Sequence, residues 1–168
     1  GNIFNGNIVT TSGRLYLNGT TFNGTARFTK SGSGGDGCDG GNIFNQLAEF
    51  TVSGTGNLSL HHNVNDQFNG DVRVNSTSTG QISFGQVAGM STLAAGRTIA
   101  VGGLGFASGN LLLRQFTQLG ATPQALLLGT GANFYLQTGT TFNGSLTAAA
   151  GNLFLNGSTY NGPALFRK

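Results

Sequence analysis

The chain contains nearly the same sixteen-residue stretch twice. LYLNGTTFNGTARFTK begins at Leu15 and LFLNGSTYNGPALFRK begins at Leu153, so the second copy is offset by +138 in the numbering (153 − 15). Residues 7–30 align with residues 145–168 without a gap, and 11 of the 24 aligned positions are identical. Duplication at a fixed offset is typical of repeat proteins, in which each unit packs only against its neighbours. The repeat therefore constrains the fold more than any single motif does.

A shorter period lies inside the long one. An aromatic-Asn-Gly corner recurs at 4–6, 22–24, 68–70, 142–144 and 160–162, with the variant Phe44-Asn45-Gln46. Neighbouring corners are 18, 22 or 24 positions apart, so the 138-residue period holds about six units with a mean length of 138/6 = 23 positions. Residues 1–168 are predicted to be one repetitive segment, a window of a longer array with a 138-residue super-repeat.

The composition favours an all-β array. The chain has 30 Gly and 2 Pro, and 8% of its residues are charged, against roughly 25% in an ordinary domain. A hydrophobic fraction of 38%, with 13 Phe, argues for a packed core rather than disorder. Apolar and polar residues alternate in stretches such as RLYLN, AEFTV, DVRVN and NLFLN, the pattern of half-buried strands.

The recurring corner selects among the all-β architectures. A sandwich does not need the same corner in every unit, and propeller blades usually run to about 40 residues or more. In a parallel β-solenoid each coil stacks on the last at about 4.8 Å, so the same position meets its copy above and below. The sequence therefore predicts a parallel β-helix (β-solenoid) of about 18–24 residues per coil and about seven coils.

Each residue of the corner has a predicted structural role. The aromatic residues should stack inward as a column formed by Phe4, Phe22, Phe44, Phe68, Phe142 and Tyr160. The amides should form a ladder along the axis through Asn5, Asn23, Asn45, Asn69, Asn143 and Asn161. Positive φ at the bend is expected of Gly6, Gly24, Gly70, Gly144 and Gly162. Gln46, which replaces a glycine, should be strained or re-routed.

Three phrases carry a resemblance to a known family. LNGTTFNG…FTKSG…GGNIFN, the following TVSGTGNLSL, and LLLRQFTQLGATPQALLL resemble the large repetitive secreted proteins of Gram-negative bacteria, akin to filamentous-haemagglutinin-type β-solenoid adhesins. The resemblance covers most of the chain and implies an extracellular or cell-surface, filament-forming protein without a known active site. It carries over no functional residue.

The acidic residues offer little for catalysis. Enzymes with a β-helix fold use clustered carboxylates, often with calcium, and this chain has five acids. Asp66 and Asp71 flank one corner and could share a side of the coil, but solvated carboxylates are expected there. His61 and His62 occupy adjacent strand positions, so they should point to opposite faces and cannot chelate one metal together. The chain is predicted to be non-catalytic, without a cofactor.

Residues 31–41, SGSGGDGCDGG, are the main irregularity. Their glycines predict a flexible excursion from the coil, in which Asp36 and Asp39 are weak candidates for a calcium site. Cys38, the only cysteine, is expected to be exposed there, either free or paired with another chain.

Charge and hydropathy limit the partners. The net charge of +3 comes from scattered residues and not from a basic cluster, so no nucleic-acid partner is expected. The sequence contains no run of 18 apolar residues, so no membrane span is predicted. The predicted function is a structural segment of an extracellular fibre or adhesin stalk. The expected partner is the protein itself, by end-to-end continuation or as a homopolymer, with surface glycans as possible ligands.

Three other functions stay open. A carbohydrate-binding surface, an ice-binding surface and a carbohydrate-active β-helix enzyme are all compatible with the fold class. An ice-binding face would need outward threonines in register, and no consistent register is found for Thr10, Thr11, Thr20, Thr21, Thr77 and Thr79.

Overall fold

The computed structural model describes residues 1–60, 63–85 and 89–168, and the described residues contain strands and no helix. The predictions for His61 and His62 lie outside the described residues. In chain order the strands are β1 (Ile3–Phe4), β2 (Ile8–Ser12), β3 (Thr21–Phe22), β4 (Ala26–Lys30), β5 (Ile43–Phe44), β6 (Ala48–Val52), β7 (Leu58–Ser59), β8 (Gln67–Phe68), β9 (Val72–Ser76), β10 (Gln81–Phe84), β11 (Ser91–Leu93), β12 (Ile99–Phe106), β13 (Ser108–Leu113), β14 (Phe116–Gln118), β15 (Gln124–Leu127), β16 (Gly131–Leu136), β17 (Thr141–Phe142), β18 (Leu146–Ala149), β19 (Asn152–Leu155), β20 (Thr159–Tyr160) and β21 (Ala164–Arg167).

These strands form three parallel sheets that run along one axis. The first sheet has the order β1-β3-β5-β8-β11-β14-β17-β20, and the second has the order β2-β4-β6-β9-β12-β15-β18-β21. The third sheet has five strands in the order β7-β10-β13-β16-β19. Strands adjacent in a sheet come from successive turns of the chain, which is the topology of a parallel β-helix. The fold class predicted from the sequence is confirmed.

The register of the first sheet gives the size of each turn. Equivalent positions are Ile3, Thr21, Ile43, Gln67, Thr92, Thr117, Thr141 and Thr159, joined by parallel pairing at every step. The steps between successive numbers are 18, 22, 24, 25, 25, 24 and 18, which makes seven turns. Six of these steps join Ile3 to Thr141, so the 138-residue period corresponds to six coils.

The core lies between the three sheets and is filled by alternate residues of each strand. In β4 the side chains of Ala26, Phe28 and Lys30 are buried, whereas Arg27 is exposed. The same inward positions are taken in β6 by Ala48 and by residues 50 and 52, which are fully buried. Because parallel pairing repeats the register, an inward residue in one coil contacts inward residues in the coils on both sides.

One strand carries a large bulge. In β12, Val101 pairs with Val74 and Phe106 pairs with Ser76, so the four residues 102–105 oppose a single residue of β9. The sequence of this bulge, GGLG, places Gly105 at φ 78°, a conformation that glycine adopts without strain. The residues of the bulge project from the second sheet, and β12 pairs with β15 just before the bulge, at Ala100 and Ala125.

Candidate functional site

The aromatic residues of the first four corners stack along the axis. The rings of Phe4 and Phe22 are 5.6 Å apart, those of Phe22 and Phe44 are 5.0 Å apart, and those of Phe44 and Phe68 are 5.0 Å apart. The planes of neighbouring rings differ by 8° or less. Phe142 and Tyr160 form a second stacked pair with a centroid distance of 6.5 Å. Stacked aromatic pairs add to the free energy gained from burial alone.

The stack does not continue straight from Phe68 to Phe142. At the equivalent position the two intervening coils have Leu93 and then Gln118. Two rings from other positions fill the space, and the contacts run from Phe68 to Phe84, from Phe84 to Phe116 and from Phe116 to Phe142 at 5.7, 5.7 and 6.3 Å. Aromatic packing is therefore continuous along the axis although the corner motif is interrupted.

The corner asparagines form a hydrogen-bonded ladder. Asn23 Nδ2 donates to Asn5 Oδ1 at 2.8 Å, Asn45 Nδ2 donates to Asn23 Oδ1 at 2.7 Å, and Asn69 Nδ2 donates to Asn45 Oδ1 at 2.8 Å. Each amide donates towards the amino-terminal end of the stack. In the last two coils Asn161 Nδ2 donates to the Oδ1 of residue 143 in the same direction, at 2.7 Å.

A second amide ladder, which the corner motif does not predict, lies on the third sheet. Asn133 Nδ2 donates to Asn110 Oδ1 at 2.8 Å, and Asn152 Nδ2 donates to Asn133 Oδ1 at 2.9 Å. The signal in the sequence is Asn followed by Leu or Phe at the start of a strand, in GNLLL, ANFYL and GNLFL. These repeats are 23 and 19 residues apart, close to the coil length.

The corner glycines are needed for close approach and not for positive φ, which corrects the prediction. None of Gly6, Gly24, Gly70, Gly144 and Gly162 has a positive φ. A Cβ atom on Gly24 would lie 2.5 Å from the carbonyl carbon of Gly6, and one on Gly70 would lie 2.2 Å from the carbonyl carbon of Gln46. Gly6, in the first coil, has nothing within 4 Å of its Cβ position.

Gln46 occupies the corner without the predicted strain in φ. Among the described non-glycine residues, Gln115 alone has a positive φ, at 50°. The backbone of the glycine corners has ordinary negative φ, so Gln46 can follow the same path there. Its side chain is exposed.

Residues 31–41 are only partly an excursion. Gly37 N donates to Leu15 O at 3.3 Å, and Gly40 pairs with both Asn18 and Val64 in isolated parallel bridges. The start of the segment also contacts both neighbouring coils, since Ser31 N donates to Ser12 O at 2.9 Å and Gly32 O accepts from Gly56 N at 3.1 Å. Much of the segment therefore forms a side of its coil. Cys38 is buried, which corrects the expectation of an exposed thiol. Burial raises the pKa of the Cys38 thiol to about 12, so the thiol is protonated and a poor nucleophile at neutral pH.

Lys30 and Asp36 form a buried pair at the start of this segment. Lys30 Nζ lies 3.2 Å from Asp36 Oδ1, and both side chains are completely inaccessible to solvent. Lys30 Nζ also donates to Gly13 O at 2.5 Å and to Gly34 O at 2.6 Å. The four residues come from two adjacent coils, so the pair joins the coils as well as holding residues 31–36 against the core.

The predicted metal candidates Asp36 and Asp39 do not come together as a site. Asp36 Oδ1 is already engaged by Lys30 Nζ and Leu15 N, whereas Asp39 is exposed. Throughout the described ranges no group of three or more His, Cys, Asp or Glu side chains is close enough to hold a metal ion.

Asp66 and Asp71 have different environments, and the prediction that both are solvated is wrong for Asp66. Asp66 is completely buried, and its Oδ1 accepts hydrogen bonds from Asn42 N at 2.8 Å and Asn42 Nδ2 at 3.0 Å. Burial raises the pKa of Asp66 to about 7, although the two hydrogen bonds act in the opposite direction. Asp71 Oδ1 instead accepts from the backbone N and Oγ1 of Thr98 at the next corner.

Charged residues on the outer face of the second sheet form a row. Arg27, Glu49 and Arg73 are in register on β4, β6 and β9, and Arg27 Nε lies 3.0 Å from Glu49 Oε2. Asn75 Nδ2 donates to Glu49 Oε1 at 2.9 Å, and Leu104 N of the bulge donates to Asn75 Oδ1 at 3.2 Å. Both carboxylate oxygens of Glu49 are thus engaged in contacts between coils.

Comparison with protein-family models, with curated proteins and with solved structures gives no match to this chain. A search of the described residues for a long apolar helix able to cross a membrane finds none.

Proposed function

We propose that the chain is a structural segment of an extracellular or cell-surface fibre or adhesin stalk, which extends by stacking coil on coil. The observation that carries the proposal is the relation between sequence period and register. The 138-residue repeat equals six register steps, so residues 145–168 occupy the same positions of their coil as residues 7–30, with 11 of the 24 residues identical. Such an array can be lengthened without any change in local geometry.

The contacts between coils support this proposal. Ala26 N donates to Leu47 O of the next coil at 2.9 Å, and Ala164, one 138-residue period after Ala26, occupies the equivalent position in the last strand. Phe28 packs on Phe50 of the next coil with centroids 5.9 Å apart, and the residue equivalent to Phe28 is Phe166. The partner that fits this surface is therefore a coil of the same protein, in the same chain or in another copy.

Lengthening the chain tests the proposal. A chain extended after Lys168 by a second copy of residues 31–168 adds one full period. Six further coils at about 4.8 Å should lengthen the rod by about 29 Å, measurable by small-angle scattering or electron microscopy. The matched control adds the same copy but carries Ala164→Pro, which removes the amide equivalent to that of Ala26. Two separate folded bodies in the unmodified extension, or equal lengths in both proteins, would contradict the proposal.

The extracellular location is tested separately. Antibodies raised against the folded chain should label intact cells of the source organism and decorate fibres or stalks on them. Labelling that requires lysis of the cells would contradict the surface location while leaving the stacking geometry intact.

A second candidate function, an ice-binding face, is favoured by the register of the first sheet. Thr92, Thr117, Thr141 and Thr159 follow one another in four consecutive coils on the outer face, and Thr21 occupies the same row. Of this row, Thr21 alone is among the threonines that the sequence suggests for an ice-binding face. Successive hydroxyls repeat at about 4.8 Å, so the row is a regular linear array.

Thermal hysteresis of freezing solutions tests this candidate. Thr117→Tyr, in the middle of the row, should abolish any hysteresis, whereas Thr147→Tyr, on the outer face of the second sheet, should leave it unchanged. The absence of hysteresis in the unmodified protein would reject the candidate. Glycan ligands on the same face would appear instead as binding to immobilised glycans that is lost in Thr117→Tyr alone.

A further inference from the structure

The Lys30 and Asp36 pair combines features that an amide-forming reaction requires. Both side chains are completely buried, and the amine nitrogen is 3.2 Å from the carboxyl Oδ1. Burial raises the pKa of Asp36, while the hydrogen bond from Leu15 N and the charge of Lys30 act in the opposite direction. In a low-dielectric interior, transfer of one proton from the ammonium to the carboxylate replaces two buried charges by two neutral groups.

The hydrogen bonds of Lys30 orient the neutral amine. A neutral amine has two N–H groups and one lone pair. The two shortest contacts of Nζ are to the carbonyl oxygens of Gly13 and Gly34, at 2.5 and 2.6 Å, and these use both N–H groups. The third contact of Nζ is with Asp36, to whose Oδ1 an N–H of the ammonium donates. Once that proton has passed to the carboxyl group, the lone pair that it leaves on Nζ lies against Asp36.

The carboxyl group is arranged as an electrophile. Leu15 N donates to Asp36 Oδ1 at 2.9 Å, which is the position where negative charge would develop during attack at Cγ. Arg14 adds a positive charge beside the same carboxyl group. Asp36 Oδ2 is buried and has no hydrogen-bond partner in the described part of the chain. Nothing therefore holds Oδ2, the oxygen that would carry the proton and leave.

We propose that Lys30 and Asp36 join through an isopeptide bond that forms without an external reagent. The lone pair of Lys30 Nζ forms a bond to Asp36 Cγ, and the bond from Cγ to Oδ2 breaks. Nζ gives up one proton to the leaving hydroxyl, which departs as water. The products are one secondary amide and one water molecule, and no group is oxidised or reduced.

A cavity lies beside the segment and can receive the released water when the segment moves. Asp36 lines a cavity of about 260 Å³ together with Gly35, Gly37, Asp39 and Asn57. The intervening residues 31–35 are SGSGG, which allow the carboxyl carbon to close on the nitrogen with little steric resistance. The new bond would hold both ends of this segment together even after the backbone between them is cut.

This inference does not depend on the fibre proposal, because it concerns one bond within a coil. The folded, unmodified chain should have an intact mass lower than its sequence mass by one water. After digestion, fragment ions from backbone bonds between Lys30 and Asp36 should be missing, since that segment would be cyclic, and trypsin should not cleave after Lys30. Lys30→Met and Asp36→Ala should each restore the full sequence mass.

Two controls distinguish the water lost in isopeptide-bond formation from water lost in other reactions. Asp36 is followed by Gly37, a sequence that forms succinimides, and a succinimide also lowers the mass by one water. Hydroxylamine reverses a succinimide and leaves an isopeptide bond intact. Asp39→Ala, which removes the neighbouring exposed carboxylate, should retain the loss. The peptide map of the unmodified chain remains decisive if a variant fails to fold.

A full sequence mass after prolonged incubation of the folded protein would overturn the proposal. A loss that hydroxylamine reverses, or one that persists in Lys30→Met, would overturn it as well. In each of those cases the pair is an ordinary buried ion pair.

Discussion

Asp66 accepts two hydrogen bonds from Asn42 through a single oxygen, Oδ1, while Asp66 Oδ2 is buried without a partner in the described residues. Burial raises the pKa of Asp66 from 3.8 to about 7, so the folded state favours the protonated acid. Between about pH 4 and pH 7 the folded state binds more protons than the unfolded state. The free energy of unfolding should therefore fall as the pH rises through this window, by at most about 4 kcal/mol from this group.

Asp66→Asn should remove this contribution. An amide keeps the oxygen that accepts from Asn42 and carries no charge at any pH, so the variant should be more stable than the unmodified chain at pH 8 and similar at pH 4. Denaturant titrations across this range would measure the difference. Asp39→Asn, at an exposed carboxylate, is the control and should keep the pH dependence of the unmodified chain. The raised pKa of Asp66 would be contradicted if the free energy of unfolding rose from pH 4 to pH 7 and Asp66→Asn removed that rise.

Phe44→Ala should destabilise the protein by about 3–5 kcal/mol, as for other large aromatic deletions in a core. Phe44 is stacked between Phe22 and Phe68 at 5.0 Å on each side, and Phe50 contacts its edge at 5.7 Å. Phe4→Ala, at the exposed end of the stack, should cost much less because that ring has a stacked neighbour on one side. Equal losses of unfolding free energy in the two variants, measured by chemical denaturation, would show that stacking between rings of neighbouring coils does not stabilise the protein.

Gly24→Ala and Gly6→Ala form a matched pair. The methyl group at position 24 would meet the backbone of Gly6 at 2.5 Å, so the coils must separate locally, at a cost of about 1–3 kcal/mol. The methyl group at position 6 meets nothing within 4 Å, and its φ is not positive, so the change should be neutral to within about 0.5 kcal/mol. Thermal unfolding of both variants measures the difference. Similar destabilisation by the two would point to a backbone requirement for glycine instead of close approach.

Asn45→Ala should cost about twice as much as Asn5→Ala. Asn45 both donates to Asn23 and accepts from Asn69, whereas Asn5 takes part in one bond of the ladder. With a net contribution of about 0.5–1.5 kcal/mol per hydrogen bond, the expected losses are about 1–3 and about 0.5–1.5 kcal/mol. Denaturant midpoints of the two single variants provide the comparison, and equal losses would mean that the second ladder bond of Asn45 adds no stability.

The sequence predicted the fold because the corner motif repeats wherever its packing role is undisturbed. It could not assign the register of residues 85–140, since Leu93 and Gln118 stand where the aromatic residue is expected. The space there is filled by Phe84 and Phe116, which lie at other positions of their coils. Thr92 and Thr117 directly precede Leu93 and Gln118 and are paired in register. A single threonine is, however, too common in the sequence to identify a repeat.

The sequence also could not predict the buried polar groups. Lys30 is stabilised by the carbonyl oxygen of Gly13, and Asp66 by Asn42, each from the preceding coil. Such partners lie about one turn away in sequence, so no local pattern predicts them. The corner glycines were misassigned for a similar reason, because the restriction on Gly24 comes from the backbone of Gly6.

The bulge at residues 102–105 shows where the coil tolerates extra length. Turns range in length from 18 to 25 positions, while all three sheets keep their parallel pairing. Additional residues are accommodated outside the sheet, as at Leu104, a residue that is 65% exposed. The bulge is therefore a suitable place to graft a foreign peptide, which would be displayed at a fixed height along a rigid rod without changing its core.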